Sequence, residues 1–466
     1  MQRKIEEIAQ IYIKIDDMVQ KFNKDNVRES YAELKQGCME CIIGIKEICD
    51  DEHKDLLEPL CKIEKLLESS DGEEYNIIKR FFMQYREIVA RWYEMTIHNE
   101  DTYNEELLEN YFQTGYQKNA LLIYIVHPFI FPNTVPGHTN QVEARIIAES
   151  LSNKKYNVDI INTNYKGKIE YKKYDVVIGY GNRFEEICYK KISNMQLICY
   201  LTEASPYFSN VAELKRLRSF QERNNYLPNF ERLSMKCLNL SALIKADAAI
   251  CLGNKWTAST YEGMFNKIYT QKVSGFSDCL LPDLKKEESV VRNFLWYGGA
   301  GPIHKGLDLC VEAFRSLPDL NLHIVGEVTT EFYRFYRSDI ENAENILYYG
   351  FLNKDTEEFR KVCEKCGFCI VPSCSEGQST AIITTMFSGI VPVCTVETGI
   401  DVEEAGGLII QSVELNDLIK MIGELAEMKK EEFCDRQQRT YDYVMKNHTV
   451  ENYRSNLDAI LSDIIE

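Results

Sequence analysis

Two short segments of the 466-residue chain carry residue types that could hold a diphosphate. The first runs from Phe294-Leu295-Trp296-Tyr297 through GGAGPIHKG (Gly298–Gly306) into LDLCVEAF. It reads as an apolar strand, a glycine-rich turn and a helix start. Glycine lets backbone come close to a ligand. The first turn of a helix offers unpaired N–H groups and a partial positive charge, and Lys305 adds a full cation. A Walker loop has a different glycine spacing and a Lys-Ser or Lys-Thr pair. The residues alone leave two readings open, an anion pocket and a plain tight turn. The second segment is VPSCSEGQSTAIITTM, residues 371–386. Here a buried strand ends in a polar turn before a helix. Ser375, Gln378, Ser379 and Thr380 offer hydroxyls or an amide. Glu376 stands just outside the helix start, where a carboxylate either faces a ligand or caps the helix electrostatically.

Both turns need strands to place them. Short apolar runs predict strands at Leu121–Val126, Val158–Ile161, Val176–Ile178, Leu197–Leu201 and Ala248–Leu252. A second set follows at Phe294–Tyr297, Leu322–Val325, Ile346–Tyr349, Phe368–Val371, Val391–Cys394 and Leu408–Ile410. Helical patterns lie between them, including Thr139–Ser152, Lys305–Ser316, Thr356–Cys366 and Ser379–Ser388, and a last helix spans about Val450–Ile465. Apolar strands alternating with helices imply parallel sheets covered on both faces. The fold class is therefore α/β, two consecutive doubly wound domains whose cleft lies where the carboxyl ends of the strands face each other.

Upstream, apolar residues recur at steps of three and four, as in Ile5, Ile8, Tyr12, Ile15, Val19 and Phe22, and again in Ile78, Phe82, Tyr85, Val89 and Trp92. Such stripes predict packed antiparallel helices. The expected division is a helical module over 1–117, a first Rossmann-like domain over 118–283 and a second over 284–466 that includes the last helix.

Composition narrows the function. The net charge is −18, from 54 Lys+Arg against 72 Asp+Glu. So acidic a chain repels phosphate backbones, which argues against nucleic acid as a partner. Residues 1–120 carry 16 of the basic and 26 of the acidic side chains, so the acidity concentrates on the helical module, which reads as a separate structural or partner-docking bundle, with a role in acceptor specificity as the alternative. The start, MQRKIEEIAQ, lacks the apolar core of a signal peptide. No apolar stretch is long enough to span a bilayer. A cytoplasmic protein whose 16 cysteines are reduced is expected.

Taken together, HKGLDLCVEAFRSLPDLNLHIVGE (304–327), GFLNKDTEEF (350–359), PSCSEGQST (372–380) and FSGIVPVCTVETGID (387–401) resemble the retaining glycosyltransferases of family 4, also called group 1, which have the GT-B fold. The resemblance covers about 120–466. It implies transfer of a sugar from a nucleotide-diphosphate sugar to an acceptor hydroxyl with retention of configuration, on a glycan, lipid-linked or protein acceptor, with no metal or other cofactor. The second domain would bind the nucleotide-sugar and the first mostly the acceptor. Lys305 would touch the donor diphosphate and Glu376 the transferred sugar. Gly298, Gly299, Gly377, Gln378, Ser379 and Thr380 would line the sugar and phosphates, and Gly350 and Phe351 the base. PGHTNQVEARIIAESL (136–151) resembles the glycine loop after the first strand, which would turn Gly137, His138, Thr139 and Asn140 to the acceptor side of the cleft.

Two positions depart from the family. Gly299 stands where an Arg usually accompanies the Lys, and Thr384 replaces a Glu that normally accepts hydrogen bonds from both ribose hydroxyls, which one Thr hydroxyl cannot do. The departures keep a second reading open, a non-catalytic GT-B-fold subunit that binds a partner through the helical module.

Glu203, at the end of the strand ICYLT, joins the acceptor-side candidates. His127, beside Pro128, reads as a packed histidine, and His304 as either a phosphate ligand or a solvent-exposed ring. Cys363, Cys366 and Cys369 have metal-like spacing but fall on a helix end and a buried strand, which do not converge tetrahedrally. No Asp-x-Asp pair occurs to bridge a metal and a diphosphate.

Overall fold

The computed structural model describes residues 106–133, 136–233, 240–276 and 288–465, together with a few helical positions between 36 and 65. Residues 1–106 and 107–466 form two compact units. Up to residue 105 the expected helical module lies outside the described residues, except Gln36, Met39, Glu40, Ile42, Ile43, Lys46 and Lys65, which are helical, whereas residues 106–117 are not helical and form turns with a bridge from Leu108 to Ile160.

The second unit holds two six-stranded sheets. The first contains β1 (Lys118–Tyr124), β2 (Tyr156–Asn162), β3 (Val176–Gly179), β4 (Gln196–Leu201), β5 (Ala248–Leu252) and β6 (Ile268–Gln271), in the order β2-β1-β3-β4-β5-β6. The second contains β7 (Asn293–Tyr297), β8 (Asn321–Val325), β9 (Ile346–Gly350), β10 (Phe368–Val371), β11 (Val391–Cys394) and β12 (Leu408–Ile409), in the order β9-β8-β7-β10-β11-β12. All pairings within both sheets are parallel. Parallel strands are covered on both faces, and Leu121–Ile123, Val177, Leu197, Phe294–Trp296 and Phe368–Ile370 are accordingly sealed from solvent.

The helices that bear on the site are α1 (Thr139–Asn153), α2 (Pro206–Asn224), α3 (Leu307–Arg315), α4 (Thr380–Met386) and α5 (Val450–Ile465). α3 begins two residues later than its apolar pattern suggests. Gly306 takes a left-handed conformation, φ 74°, and ends the glycine turn before the helix starts. The first strand also stops earlier than expected, at Tyr124. Val126 instead caps a four-residue helix, His127–Ile130, which tolerates Pro128 in its first turn. β6 is a strand that the apolar pattern misses. Its sequence IYTQ is short and half exposed, and it lies at the sheet edge.

α2 ties the two sheets' layers together. Arg216 donates to the Pro372 carbonyl at 2.8 Å. Arg223 pairs with Asp308 and Glu312 on α3. α5 crosses back to the first sheet. The Tyr453 and Tyr200 hydroxyls are 2.7 Å apart, Arg454 pairs with Glu149 of α1 at 2.7 Å, and Asn456 donates to Gln271 of β6 at 2.9 Å.

Candidate functional site

In an open parallel sheet, ligands bind outside the carboxyl ends of the strands where the strand order reverses. In the second sheet that point lies between β7 and β10, which pair through Phe294–Phe368 and Leu295–Cys369. β7 leads into the glycine turn and β10 into the polar turn. Two segments 71 residues apart in sequence thus meet, and Lys305 pairs with Glu376.

The backbone explains the glycines. A Cβ on Gly298 would press on Trp296 and sit 3.2 Å from Cδ of Lys305, so the lysine stem lies over bare backbone. Gly306 leaves room for the Pro372 carbonyl, which leads into the second turn. Gly299 has open space around it. The polar turn is fixed from behind, with Glu376 N donating to Glu397 O at 2.8 Å and Ser379 N to Thr398 O at 3.0 Å.

The pair is largely buried, with the Lys305 side chain 11% and the Glu376 side chain 10% exposed. Burial works against the charge of Glu376, yet Lys305 and Arg232 outweigh it and hold the carboxyl down at about 2. Burial also lowers the Lys305 ammonium, and Glu376 opposes that shift. Ser373 adds a hydroxyl 3.3 Å from Glu376.

Two further neighbours complete the site, and of these only Arg232 carries no signal in the sequence pattern. Arg232, from the irregular stretch after α2, donates to Glu203 at 2.9 Å and reaches Glu376 at 3.5 Å. His304 is 2% exposed. Its Nδ1 is 2.6 Å from Glu213 of α2 and its Nε2 is 2.7 Å from the Ser375 carbonyl. The reading of His304 as a solvent-exposed ring is thereby excluded. Its imidazole braces the polar turn against α2.

The remaining candidates fall in different places. Gly377 packs its backbone against Thr202 and Glu203, and Thr257 donates to its carbonyl at 2.7 Å. Gln378 accepts from Val273 N and donates to Gly399 O, both at 2.9 Å, so its amide serves the protein. Ser379 precedes α4 without a side-chain capping bond, and Thr380 begins the helix. The Thr384 hydroxyl donates to the Thr380 carbonyl within the helix. Gly350 has φ 69° and accepts from Gly326 N at 2.8 Å, while Phe351 next to it is exposed. Gly137–Asn140 start α1, where His138 Nδ1 caps the helix by accepting from Asn140 N at 3.1 Å. Thr139 Oγ1 and Asn140 Oδ1 are buried without a hydrogen-bond partner. Among the described residues, no hydrogen bond or ion pair joins Gly137–Asn140 to Lys305 or Glu376. Cys363, Cys366 and Cys369 are buried cysteines outside any disulfide. Among the described residues no cluster of His, Cys, Asp or Glu is placed to hold a metal ion, and no helix is long and apolar enough to cross a membrane.

Comparison with known proteins agrees with this geometry. Residues 291–428, which contain both turns, match the family model of glycosyl transferases group 1. No curated protein matches the chain. Among solved structures, sucrose-phosphate synthase from Thermosynechococcus elongatus is 13% identical, with TM-score 0.52, over 74% of this chain and 99% of that one. That likeness, with the two parallel sheets, gives the fold: GT-B, two Rossmann-like domains facing a cleft. TarM of S. aureus is 16% identical, with TM-score 0.44, and the match spans 62% of this chain but only 55% of TarM. The Anabaena protein HepE, solved with UDP and glucose, is 12% identical, with TM-score 0.47, over 75% and 100% of the two chains.

The site's buried acids set a pH dependence. Burial pushes the carboxyls of Glu231, beside Arg232, and Glu143, on α1, up to about 7, and that of Asp308 on α3 up to about 6. Unfolded, such groups ionise near about 4. The fold therefore binds more protons than the unfolded chain between those values. The stabilisation is complete at low pH and is lost as pH rises through the folded values. The melting temperature should fall when pH is raised from about 6 to about 8, and Glu143→Gln should flatten part of that fall. A melting temperature that rises over this range would mean the acids are ionised inside the fold.

Proposed function

We propose that the protein moves a sugar from a nucleotide-diphosphate sugar to an acceptor hydroxyl, with retention of anomeric configuration and without a metal. The observation that carries this reading is the convergence of Lys305 and Glu376 at the β7/β10 switch point, inside the segment that matches group 1 glycosyl transferases.

Breaking the bond between the anomeric carbon and the diphosphate oxygen leaves negative charge on the phosphate and positive charge on the sugar. Lys305 meets that negative charge as it develops, with the positive end of the α3 dipole behind it. Glu376 is ionised near neutrality because two cations hold it so. It is therefore unsuited to donate a proton, and its place is to accept hydrogen bonds from sugar hydroxyls. The departing phosphate can itself take the acceptor's proton, so no separate base is assigned. Retention rests on the family resemblance, with attack on the face the diphosphate leaves. The acceptor enters from the side of Gly137, His138, Thr139, Asn140 and Glu203. A cytoplasmic site of action and a protein partner on residues 1–117 belong to the same reading.

The test is a panel of UDP-, GDP-, ADP-, CDP- and dTDP-sugars, read first by thermal shift and then by sugar release in the presence of EDTA. One donor should raise the melting temperature, and proton NMR should show the released sugar appearing first in the donor's anomeric form. The non-catalytic reading draws on Thr384 and Gln378, whose polar groups are engaged within the protein. It is favoured if no donor shifts the melting temperature while the full chain holds a protein partner in solution.

A further inference from the structure

The glycine turn carries one cation of its own, Lys305, and Gly299 leaves open space beside it. The second cation at this place comes from the other domain. Arg232 follows α2 and reaches across the cleft. A Cβ on Gly301 would lie 2.8 Å from Cδ of Arg232, so the arginine stem rests on the glycine turn itself. Its guanidinium then touches Glu376, the partner of Lys305, and Glu203. We propose that Arg232 is the second diphosphate-binding cation of this site, supplied by the first domain of the same chain, and that donor phosphate displaces Glu203 from its guanidinium. The proposal rests on the nucleotide-sugar reading above.

Three observations carry it. The first is placement, since Arg232 and Lys305 share one carboxylate, Glu376, and so lie within one phosphate group's reach of each other. The second is that the guanidinium can change partners. Glu203 is 61% exposed, so it can return to water at little cost, whereas Glu376 is 10% exposed and stays. A planar guanidinium binds phosphate oxygens in pairs and is suited to this exchange. The third is that the spacing of the two cations is fixed by the protein. Glu213 accepts from the backbone N of Glu231 at 2.6 Å and of Arg232 at 2.8 Å, and its other oxygen holds His304. Glu231 in turn accepts from the backbone N of His304 at 2.9 Å. The residue before Lys305 is thus bonded to the residue before Arg232. Arg232 is in position where the two domains meet, so the diphosphate site is shared between them.

The experiment titrates the full chain with UDP, GDP, ADP, CDP and dTDP in turn, and then with the nucleoside of whichever binds best. Arg232→Ala should weaken that diphosphate by about 10- to 100-fold, the range for hydrogen bonds to a charged group. Nucleoside affinity should stay within about twofold. Arg232→Lys, which keeps the charge and loses the paired geometry, should fall between. Melting curves show whether each variant is folded, and the lysine variant carries the test if the alanine variant is not. Unchanged diphosphate affinity in folded variants overturns the role of Arg232 and leaves the nucleotide-sugar reading standing. Equal losses for nucleoside and diphosphate also overturn it, since the residue would then act through the fold. If the unaltered chain binds none of the five diphosphates, both proposals fall together.

Discussion

Replacing Lys305 with alanine should lower the rate of sugar transfer by about 10²–10³, the scale seen when one preorganised donor to a developing negative charge is removed. The residue suits that role because little else at the turn can take its place. Its ammonium emerges over Gly298, where no side chain intervenes, and α3 begins two residues later. The site is also mostly closed to water, which strengthens a charge interaction there. Loss of the ammonium leaves Glu376 with Arg232 as its remaining cation. Some loss of stability is expected, so the melting temperature of the variant has to be measured beside its rate. Lys305→Met, which keeps the stem, separates the charge from the packing. The loss should fall on turnover more than on donor affinity, because the charge grows as the bond breaks. Turnover equal to that of the unaltered chain, in a variant that melts normally, would remove Lys305 from leaving-group stabilisation.

Gly326→Ala should be the most damaging small substitution in the second domain, at about 3–5 kcal/mol of stability. Gly326 follows β8 with φ 133°, a conformation that side-chain-bearing residues rarely adopt. A Cβ there would collide with the carbonyl oxygen of Gly298, and neither partner can yield easily because both are backbone. Gly326 N donates to Gly350 O at 2.8 Å, and Gly298 N to Val325 O at 3.1 Å. The clash therefore pushes apart three strand ends, β7, β8 and β9, at the place where the diphosphate would sit. Gly299→Ala is the control. It has no positive φ and no neighbour within 4 Å, so its stability should change by less than about 0.5 kcal/mol. Denaturant unfolding of the two variants decides the matter, and equal midpoints would refute the backbone argument.

The parts of this molecule that sequence reveals are those written locally. A parallel strand is a short apolar run, so eleven of the twelve strands are visible, and the glycine turn and the Glu376 turn stand out as strand, polar turn and helix in succession. β6 hides because an edge strand with one half-exposed side has no apolar run to show. The start of α3 shifts because Gly306 must leave room for the Pro372 carbonyl, a neighbour 66 residues away. Arg232 is invisible for a related reason. It lies in an irregular stretch with no periodicity, and its partners Glu203 and Glu376 are 29 and 144 residues distant. His304 is legible as a neighbour of Lys305 but its bracing role is not, since nothing beside it in sequence announces Glu213, 91 residues upstream. Side chains that act across a cleft become legible only when the topology has brought the segments together.

The return of α5 to the first sheet has a consequence for the order of events on the ribosome. Tyr453 and Asn456 complete contacts with Tyr200 and Gln271, strand residues made long before them. Between Gln271 and Tyr453 the whole second sheet must be translated. At about 5–20 residues per second, the first sheet waits for its last helix for roughly 10–35 s. Through that interval the buried face that Tyr200 offers to Tyr453 lies open. The domain that begins first is therefore finished last, and the nascent chain is most vulnerable to misassociation along β6 and α1 while the second domain is still emerging.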